Sequence, residues 1–266
     1  MKIIDFHTHY LPTHASAKEI LNSMDKSNIE SSVMLACPNH PRYTDCGLTC
    51  TNEEVEKLVN SNPDRFIGGV YVEPRNVMEA QTRIREYHAK GFKVIKMWPA
   101  HGFSPDDPMI YPVWEVANEL KMIVLFHSGV LGNGHNRQLP LTTIRSAAFN
   151  SKFGQPVLLD QVARYFPDIK FVIAHGAYPW TLEALEMSFV FKNIYVDMSC
   201  PLGYEAYNLM KVLKPARIAW DRLLFGSDSA GITDDCVERW KLLMDDEFFA
   251  AHKEDFFYNN AKSLLK

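Results

Sequence analysis

Several segments of the chain place histidine or aspartate directly after an apolar run. These residues are His7 and His9 after Lys2–Phe6, His127 after Ile123–Phe126, His175 after Phe171–Ala174, and Asp228 after Leu224-Phe225-Gly226-Ser227. Residues two apart in an extended segment point to the same side, so the two imidazoles of His7-Thr8-His9 can face one point. Imidazole nitrogen and carboxylate oxygen are ligands that divalent transition metals prefer. If the segments converge, they predict a metal site and metal-dependent chemistry.

Each residue taken alone has a simpler explanation. A histidine at a strand end can meet water or a backbone carbonyl, and an aspartate there can cap the next helix. The pair His7 and His9 is equally compatible with two ordinary polar histidines. The joint pattern favours a metal site, because ligand-type residues end the first, fifth, sixth and eighth apolar runs on the same side.

The apolar runs alternate with helix-patterned segments over the whole chain. The expected strands are Lys2–Phe6, Ser32–Ala36, Phe66–Tyr71, Lys93–Met97, Met122–Phe126, Lys170–Ala174, Asn193–Asp197 and Arg222–Phe225. Eight strands alternating with helices favour parallel βαβ units, and 266 residues suit one (β/α)8 TIM barrel spanning residues 1–266. The pattern alone leaves an open, doubly wound sheet as the alternative.

Helix signals occupy the segments between these strands. Thr51-Asn52-Glu53-Glu54 is typical of a capped helix start, and Val77–Ala89 has apolar residues near a 3.6 period and ends before Gly91. We expect Asp234–Lys266 to be helical and to pack on the barrel. Long irregular stretches follow three strands, on the side where barrel active sites form. They are Pro38–Cys50, Pro99–Met109 and Gly129–Gln155.

Composition and charge indicate which kinds of binding partner the chain can have. Hydrophobic residues make up 47% and charged residues 23% of the chain, which argues against disorder, and the net charge of −4 argues against nucleic acid as a partner. We expect no membrane association, because no apolar run approaches about 18 residues, and no secretory leader. The five cysteines contain no CxxC pair, so we expect a cytoplasmic protein with reduced thiols, without a metal or redox role for Cys46 and Cys50.

Taken in order, the motifs resemble the amidohydrolase superfamily. The resemblance is to the amidohydrolase-related branch that includes aminocarboxymuconate semialdehyde decarboxylase and the resorcylate decarboxylases. The matching segments span nearly the whole chain. They are Ile4-Asp5-Phe6-His7-Thr8-His9, Gly91-Phe92-Lys93-Val94-Ile95-Lys96, Phe126-His127-Ser128-Gly129, Ile173-Ala174-His175-Gly176, Phe225-Gly226-Ser227-Asp228 and Asn260-Ala261-Lys262-Ser263-Leu264-Leu265.

The resemblance implies roles for these residues. His7, His9, His127 and Asp228 would bind one divalent metal, zinc or alternatively manganese. Asp228 would also act as the catalytic base, and His175 would polarise the water or the substrate. Homodimers are common in this branch, so the resemblance also allows a homodimer.

Lys96 and three other residues shape the expected pocket. Binuclear members of the superfamily carry a carboxylated lysine at the end of strand four, so Lys96 is a candidate bridge to a second metal, although the mononuclear branch lacks it. The alternative is that Lys96 binds a substrate carboxylate. Arg137 can clamp a carboxylate through its guanidinium, and Trp98 and Tyr178 can stack a planar substrate or simply pack.

The sequence therefore predicts an enzyme with a small-molecule substrate. The first hypothesis is metal-dependent hydrolysis of a small polar amide, lactone or ester. The alternative is non-oxidative decarboxylation of a small carboxylic acid, which needs the same ligands. The short chain favours hydrolysis, since the aromatic decarboxylases it resembles carry longer insertions. A third reading, a barrel that only binds a metabolite, gives no reason for such converging polar groups.

Overall fold

The computed structural model describes residues 1–37, 49–130, 150–199 and 202–266. Within these ranges, eight strands form one parallel sheet in sequential order, β1-β2-β3-β4-β5-β6-β7-β8. The strands β1 to β8 are Ile3–His9, Ile29–Leu35, Phe66–Tyr71, Val94–Met97, Ile123–Phe126, Lys170–Ile173, Ile194–Asp197 and Leu223–Leu224. The eight expected strands are confirmed, with ends displaced by a few residues.

Backbone hydrogen bonds between the segment around β8 and β1 close the sheet into a barrel. Phe6 N donates to Phe225 O at 3.0 Å, Asp228 N to His7 O at 2.7 Å, and His9 N to Ser229 O at 2.8 Å. The predicted TIM barrel is therefore confirmed over the open sheet. Closure brings the end of β1 directly beside the segment that follows β8.

Helices lie between successive strands on the outside of the sheet. In the described ranges, α1 to α9 are Ala17–Ser27, Asn52–Ser61, Val77–Ala89, Tyr111–Glu119, Asp160–Tyr165, Thr181–Val190, Leu202–Met210, Asp234–Leu243 and Asn260–Leu264. Thr51 caps α2 through a capping box with Glu54, as its sequence predicts. Helix α3 has the predicted bounds, and Gly91 follows it with φ of +86°.

The C-terminal segment departs from the expected continuous helix. After α8, the chain forms a 3-10 turn at Ala250–His252 and a π-helical turn at Asp255–Asn259 before α9. Its Phe256 carbonyl accepts a hydrogen bond from Phe225 N. The segment covers the end of the barrel, where Tyr258, Ala261 and Leu265 pack against its interior.

Two apolar layers explain why the strands read as nearly continuous hydrophobic runs. One layer fills the barrel interior and includes Phe6, Val33, Val94 and Leu125. The other lies between the strands and the helices. Because alternate residues face opposite sides, Val94 and Lys96 both point inward, and Lys96 is fully buried at the barrel mouth.

The cysteines test the expectation of reduced thiols, and the helix lengths bear on the expectation of no membrane association. Cys37 and Cys50 carry free thiols. Cys236 is disulfide-bonded, so the expectation of reduced thiols is wrong for this residue. In the part of the chain that the structure describes, no helix combines the length and the apolar character needed to span a membrane.

Candidate active site

The site forms where β1 meets the segment after β8. His7 Nε2 and His9 Nε2 each lie 3.3 Å from Asp228 Oδ1. One ligand atom from each of these three residues lies within 4.8 Å of the others, so a single ion could contact all three. Asp228 reaches this point through a left-handed backbone, with φ of +51°, which its hydrogen bond to His7 O stabilises.

His7 is held from the side opposite to Asp228. Its Nδ1 lies 2.6 Å from Asp197 Oδ2, and Ser199 Oγ donates to the same oxygen at 2.8 Å. Both Asp197 and His7 are fully buried. Gly226 permits this close packing, because a Cβ atom there would lie 2.4 Å from Asp197 Oδ1 and 2.8 Å from His7 Cβ.

His9 has a different neighbour. Its Nδ1 lies 3.3 Å from Cys37 Sγ, at the end of β2. Cys37 is buried and is positioned by an antiparallel bridge to Cys50, with Cys37 N donating to Cys50 O at 3.0 Å. The two histidines of β1 therefore face the same point but are supported by unlike groups.

His127 and His175 contact each other at the ends of β5 and β6. His127 Nδ1 lies 3.1 Å from His175 Nε2, and Trp98 stacks on the His127 ring with centroids 5.1 Å apart. His175 has φ of +59°, and its Nδ1 lies 2.8 Å from Ser199 Oγ and 3.8 Å from Asp228 Oδ2. His127 does not join the three-residue group around Asp228, but its Nε2 is buried without a hydrogen-bond partner in the described ranges.

Lys96 completes the floor of the site. Its Nζ lies 3.0 Å from His7 Nε2 and 5.6 Å from the centre of the Trp98 ring. Burial lowers the pKa of Lys96 to about 8, although Asp228 and Asp197 oppose this shift. The ammonium therefore predominates at neutral pH and donates to the nitrogen that faces Asp228.

Burial and neighbouring charges shift the pKa values of the site residues in different directions. It lowers the pKa of His175 to about 4 and that of His7 well below its usual value, and the Lys96 ammonium lowers the His7 pKa further. Burial would also lower the pKa of His9, but Cys37 and Asp228 outweigh it and raise this pKa to about 9. Burial would raise the pKa of Asp228, yet His175, His7 and His9 hold it well below its usual range.

The donor set fits a divalent metal. Two imidazoles and one ionised carboxylate converge, and a third imidazole, His127, offers a buried nitrogen without a partner in the described part. Nitrogen and oxygen donors of this kind suit zinc and other transition metals, and a carboxylate behind a ligand histidine is their usual support. His7, His9, His127 and Asp228 are thus the residues that could hold it.

For three residues that were predicted to bind substrate, the structure gives a position but no substrate contact, or no position. Trp98 is buried against His127, which fits a packing role. Tyr178 lies beside the His175 turn, where its carbonyl accepts a hydrogen bond from Val130 N at 3.1 Å. Arg137 lies outside the described residues, so its role as a carboxylate clamp stays a prediction.

Asp197, Ser199 and Cys37 also contact the histidines of the site, and none of the three was predicted from the sequence. Asp197 ends β7 as Asp228 follows β8, so the signal of an acid at a strand end was present and went unused. Nothing in the sequence marks Ser199 or Cys37, because their importance depends on which histidine lies across the barrel from them.

A cavity of about 630 Å³ adjoins the site on the His9 side. Its lining includes the buried Cys37 and His101 and the more exposed Tyr71, Glu73 and Arg75. Arg75 is paired with Glu73 at 2.7 Å. This volume is within the range of about 300–1,000 Å³ that small-molecule sites occupy.

Comparisons with solved structures find the same fold in several proteins. An uncharacterised TIM-barrel protein from Bordetella bronchiseptica has a TM-score of 0.75 at 19% identity, covering 100% of this chain and 98% of its own. The 5-carboxyvanillate decarboxylase of Novosphingobium aromaticivorans, with bound manganese, has a TM-score of 0.67 at 15% identity, covering 99% and 97%. The 4-oxalomesaconate hydratase of Rhodopseudomonas palustris has a TM-score of 0.65 at 19% identity, covering 99% and 95%.

Sequence comparisons identify the family. No curated protein sequence matches the chain. The family model described as amidohydrolase matches residues 4–266, which include every residue of the site described above. The chain therefore belongs to the amidohydrolase family.

Proposed function

We propose that the protein is a metal-dependent hydrolase of a small polar metabolite such as an amide, lactone or ester. The family makes the chain an enzyme of hydrolase or carboxy-lyase type. The observation that carries the hydrolase proposal is the convergence of His7, His9 and an ionised Asp228 beside a cavity of small-molecule size. We infer one divalent ion, zinc or manganese, at this position.

The metal would be held by His7, His9, His127 and Asp228. When bound, it would lower the pKa of a water molecule towards neutrality and polarise a substrate carbonyl. Asp228 is able to accept a proton, because its neighbours keep the carboxylate ionised at neutral pH. His175 is neutral and its Nδ1 lies 3.8 Å from Asp228 Oδ2, so this ring would act on the substrate or the water from beside the carboxylate.

Substrate would enter from the cavity beside His9. One wall of this cavity is Cys37, whose sulfur contacts His9, so a ligand there is adjacent to the reacting groups. The buried ring of Trp98, which stacks on His127, would exclude water from that ligand.

Decarboxylation of a small carboxylic acid is the second candidate. It is favoured by the shared fold with 5-carboxyvanillate decarboxylase. In that reaction Asp228 would have to deliver a proton to the substrate. Hydrolysis comes first because the chain, at 266 residues, is short beside the aromatic decarboxylases that it resembles, which carry longer insertions.

The test is a substrate panel on protein reconstituted with zinc or manganese. Lactones, esters and amides are assayed for hydrolysis, and hydroxybenzoates and muconate-like acids for release of carbon dioxide. Hydrolysis of one class without carbon dioxide release is expected; carbon dioxide release alone would replace the first proposal with the second. A metal-loaded protein inactive on both panels would favour a barrel that only binds a metabolite.

Asp228→Asn checks the assignment of the base on any active substrate. We expect turnover to fall at least about 100-fold, since positioned acid–base groups contribute roughly 10²–10⁴-fold. The circular dichroism spectrum should be unchanged. An Asp228→Asn enzyme that keeps more than half of the wild-type turnover would refute the role of Asp228.

A further inference from the structure

A chain of hydrogen bonds runs from β7 across the floor of the site. It begins at Asp197 Oδ2, which lies 2.6 Å from His7 Nδ1 and 2.8 Å from Ser199 Oγ. It continues from Ser199 Oγ to His175 Nδ1 at 2.8 Å, and from His175 Nε2 to His127 Nδ1 at 3.1 Å. Three of the four histidines of the site are therefore connected to one buried carboxylate.

The direction of each hydrogen bond follows from the chemistry of Asp197. Asp197 Oδ2 accepts from Ser199 Oγ and faces the His7 Nδ1 atom, and a carboxylate can only accept. His7 Nδ1 and Ser199 Oγ must both donate to it. The single proton of the Ser199 hydroxyl is then used, and its oxygen must accept from His175 Nδ1.

The same reasoning determines which ring nitrogen carries the proton in His175 and His127. A neutral imidazole carries one ring proton, so once His175 Nδ1 donates to Ser199 Oγ, its Nε2 has only a lone pair and must accept from His127 Nδ1. His127 then carries its one ring proton on Nδ1, which faces His175 Nε2. Its Nε2 is thereby left unprotonated, which agrees with the absence of a partner for this buried atom within the described ranges.

The His7 end provides an independent check. If His7 donates through Nδ1, its Nε2 must accept, and its nearer neighbour, at 3.0 Å, is the Lys96 ammonium, which can only donate; Asp228 Oδ1 lies farther away, at 3.3 Å. The pattern is therefore consistent at both ends. It leaves the lone pairs of His7 Nε2 and His127 Nε2 free of protons, the state in which imidazole binds a metal.

We propose that Asp197 is a positioning residue that sets the tautomers of His7, His175 and His127, acting on the last two through Ser199. The hydrogen-bond pattern stands without a metal, and its consequence for metal affinity rests on the proposed function. One carboxylate thus prepares ligand atoms on β1 and β5, two strands that do not pair with each other.

The first measurement is a long-range ¹H–¹⁵N correlation spectrum of the histidine rings in chelator-treated protein at neutral pH. We expect the Nδ1–H tautomer for His7, His175 and His127, although free histidine prefers Nε2–H. Ser199→Ala should leave His7 unchanged and alter His175 and His127, because it cuts the chain behind His7. Nε2–H on His175 or His127 in the wild-type protein would overturn the proposal.

The second measurement is zinc affinity by competition with a chromogenic chelator. Asp197→Asn should weaken zinc binding about 10–100-fold, the usual effect of removing the acceptor behind a ligand histidine, and should change at least one ring tautomer. Asp5→Asn is the matched control. Asp5 is equally buried but accepts from the backbone N–H groups of His7 and Ser227 rather than from a ring, so tautomers and affinity should be unchanged.

The outcomes separate this proposal from the proposed function. Wild-type protein with the expected tautomers that binds no zinc or manganese would refute the metal enzyme and leave the hydrogen-bond chain intact. Wild-type protein that binds metal, together with an Asp197→Asn variant of unchanged affinity and tautomers, would refute the role of Asp197. If Asp197→Asn does not fold, the wild-type and Ser199→Ala spectra decide the question.

Discussion

The two walls of the site are built on opposite principles. The buried wall consists of His7, Asp197, Ser199, His175 and His127, and its polar atoms bond to one another. The cavity wall consists of Cys37 and His101, which line the cavity of about 630 Å³, and of His9, which contacts Cys37. The His7 side chain is fully buried, whereas 11% of the His9 side chain and 26% of the Asp228 side chain are exposed.

The difference in burial and neighbours between the two walls determines the protonation states of His7 and His9. His7 and His9 lie on one strand and face one point, yet burial lowers the pKa of His7 while Cys37 and Asp228 raise that of His9 to about 9. A metal would find the His7 nitrogen already free of its own proton and would displace a proton from His9. Strand alternation thus predicts where a side chain points, and its surroundings determine which form it takes.

The largest expected effect is on the buried wall. His7→Ala removes a ligand atom and the partner of Asp197. Zinc sites of four ligands are worth about 10–16 kcal/mol, or roughly 3 kcal/mol for each ligand, so we expect zinc affinity to fall by about two to three orders of magnitude. Metal content after dialysis, measured by mass spectrometry, checks this.

His14→Ala is the control for that measurement, because His14 also lies near β1 but its side chain bonds to Thr13, outside the site. It should keep wild-type metal content. Full metal content in His7→Ala would show that the histidines of the buried wall do not hold the ion, and would reduce His7 to a structural partner of Asp197.

A smaller effect of opposite sign is expected at Lys96. Its ammonium donates to His7 Nε2 and places a positive charge within a few ångströms of the expected ion. Unit charges about 4 Å apart repel by roughly 4 kcal/mol at an effective dielectric constant near 20, and the flexible side chain relieves part of this. Lys96→Met should therefore tighten zinc binding well over tenfold at pH 7.

Lys93→Met is the matched control, since Lys93 precedes the same strand at the opposite end of the barrel and bonds to Leu265 O. It should leave zinc affinity unchanged. If Lys96 were instead a carboxylated bridge, wild-type protein would contain close to two metals per chain and Lys96→Met would lose one of them. Metal counting therefore separates the two roles.

The barrel was predictable because its signal repeats eight times. Each strand is buried on both faces, so each reads as an apolar run, and the residues after these runs must meet at one end. His7, His9 and Asp228 were found in this way. Asp197 was available to the same argument, because Tyr195-Val196-Asp197 also ends a strand with an acid.

The hydrogen-bond partners were harder to predict. Ser199 and Cys37 have no distinctive spacing, and each matters only because barrel closure places a particular histidine against it. Their contacts depend on distances of about 3 Å between residues far apart in sequence. Composition and periodicity carry no information at that scale, nor did they predict the π-helical turn at Asp255–Asn259.

The smallest expected effect tests the cavity wall. When His9 binds an ion through Nε2, its Nδ1 carries the proton and donates to Cys37 Sγ, 3.3 Å away. Sulfur is a weak acceptor, so Cys37→Ala should weaken zinc binding about tenfold, at the low end of the usual range. Cys37→Ser, which keeps an acceptor, should recover part of the loss.

Cys50→Ala makes the same chemical change on the other side of the bridge, where the sulfur donates to Thr51 O at 3.5 Å. It should leave zinc affinity unchanged, so a loss common to both alanine variants would indicate a packing defect. An intense sulfur-to-metal charge-transfer band in cobalt-substituted wild-type protein, absent from Cys37→Ser, would show that Cys37 binds the ion directly. The cavity wall would then supply a ligand of its own, and the contrast between the two walls would lie in ligand chemistry as well as in burial.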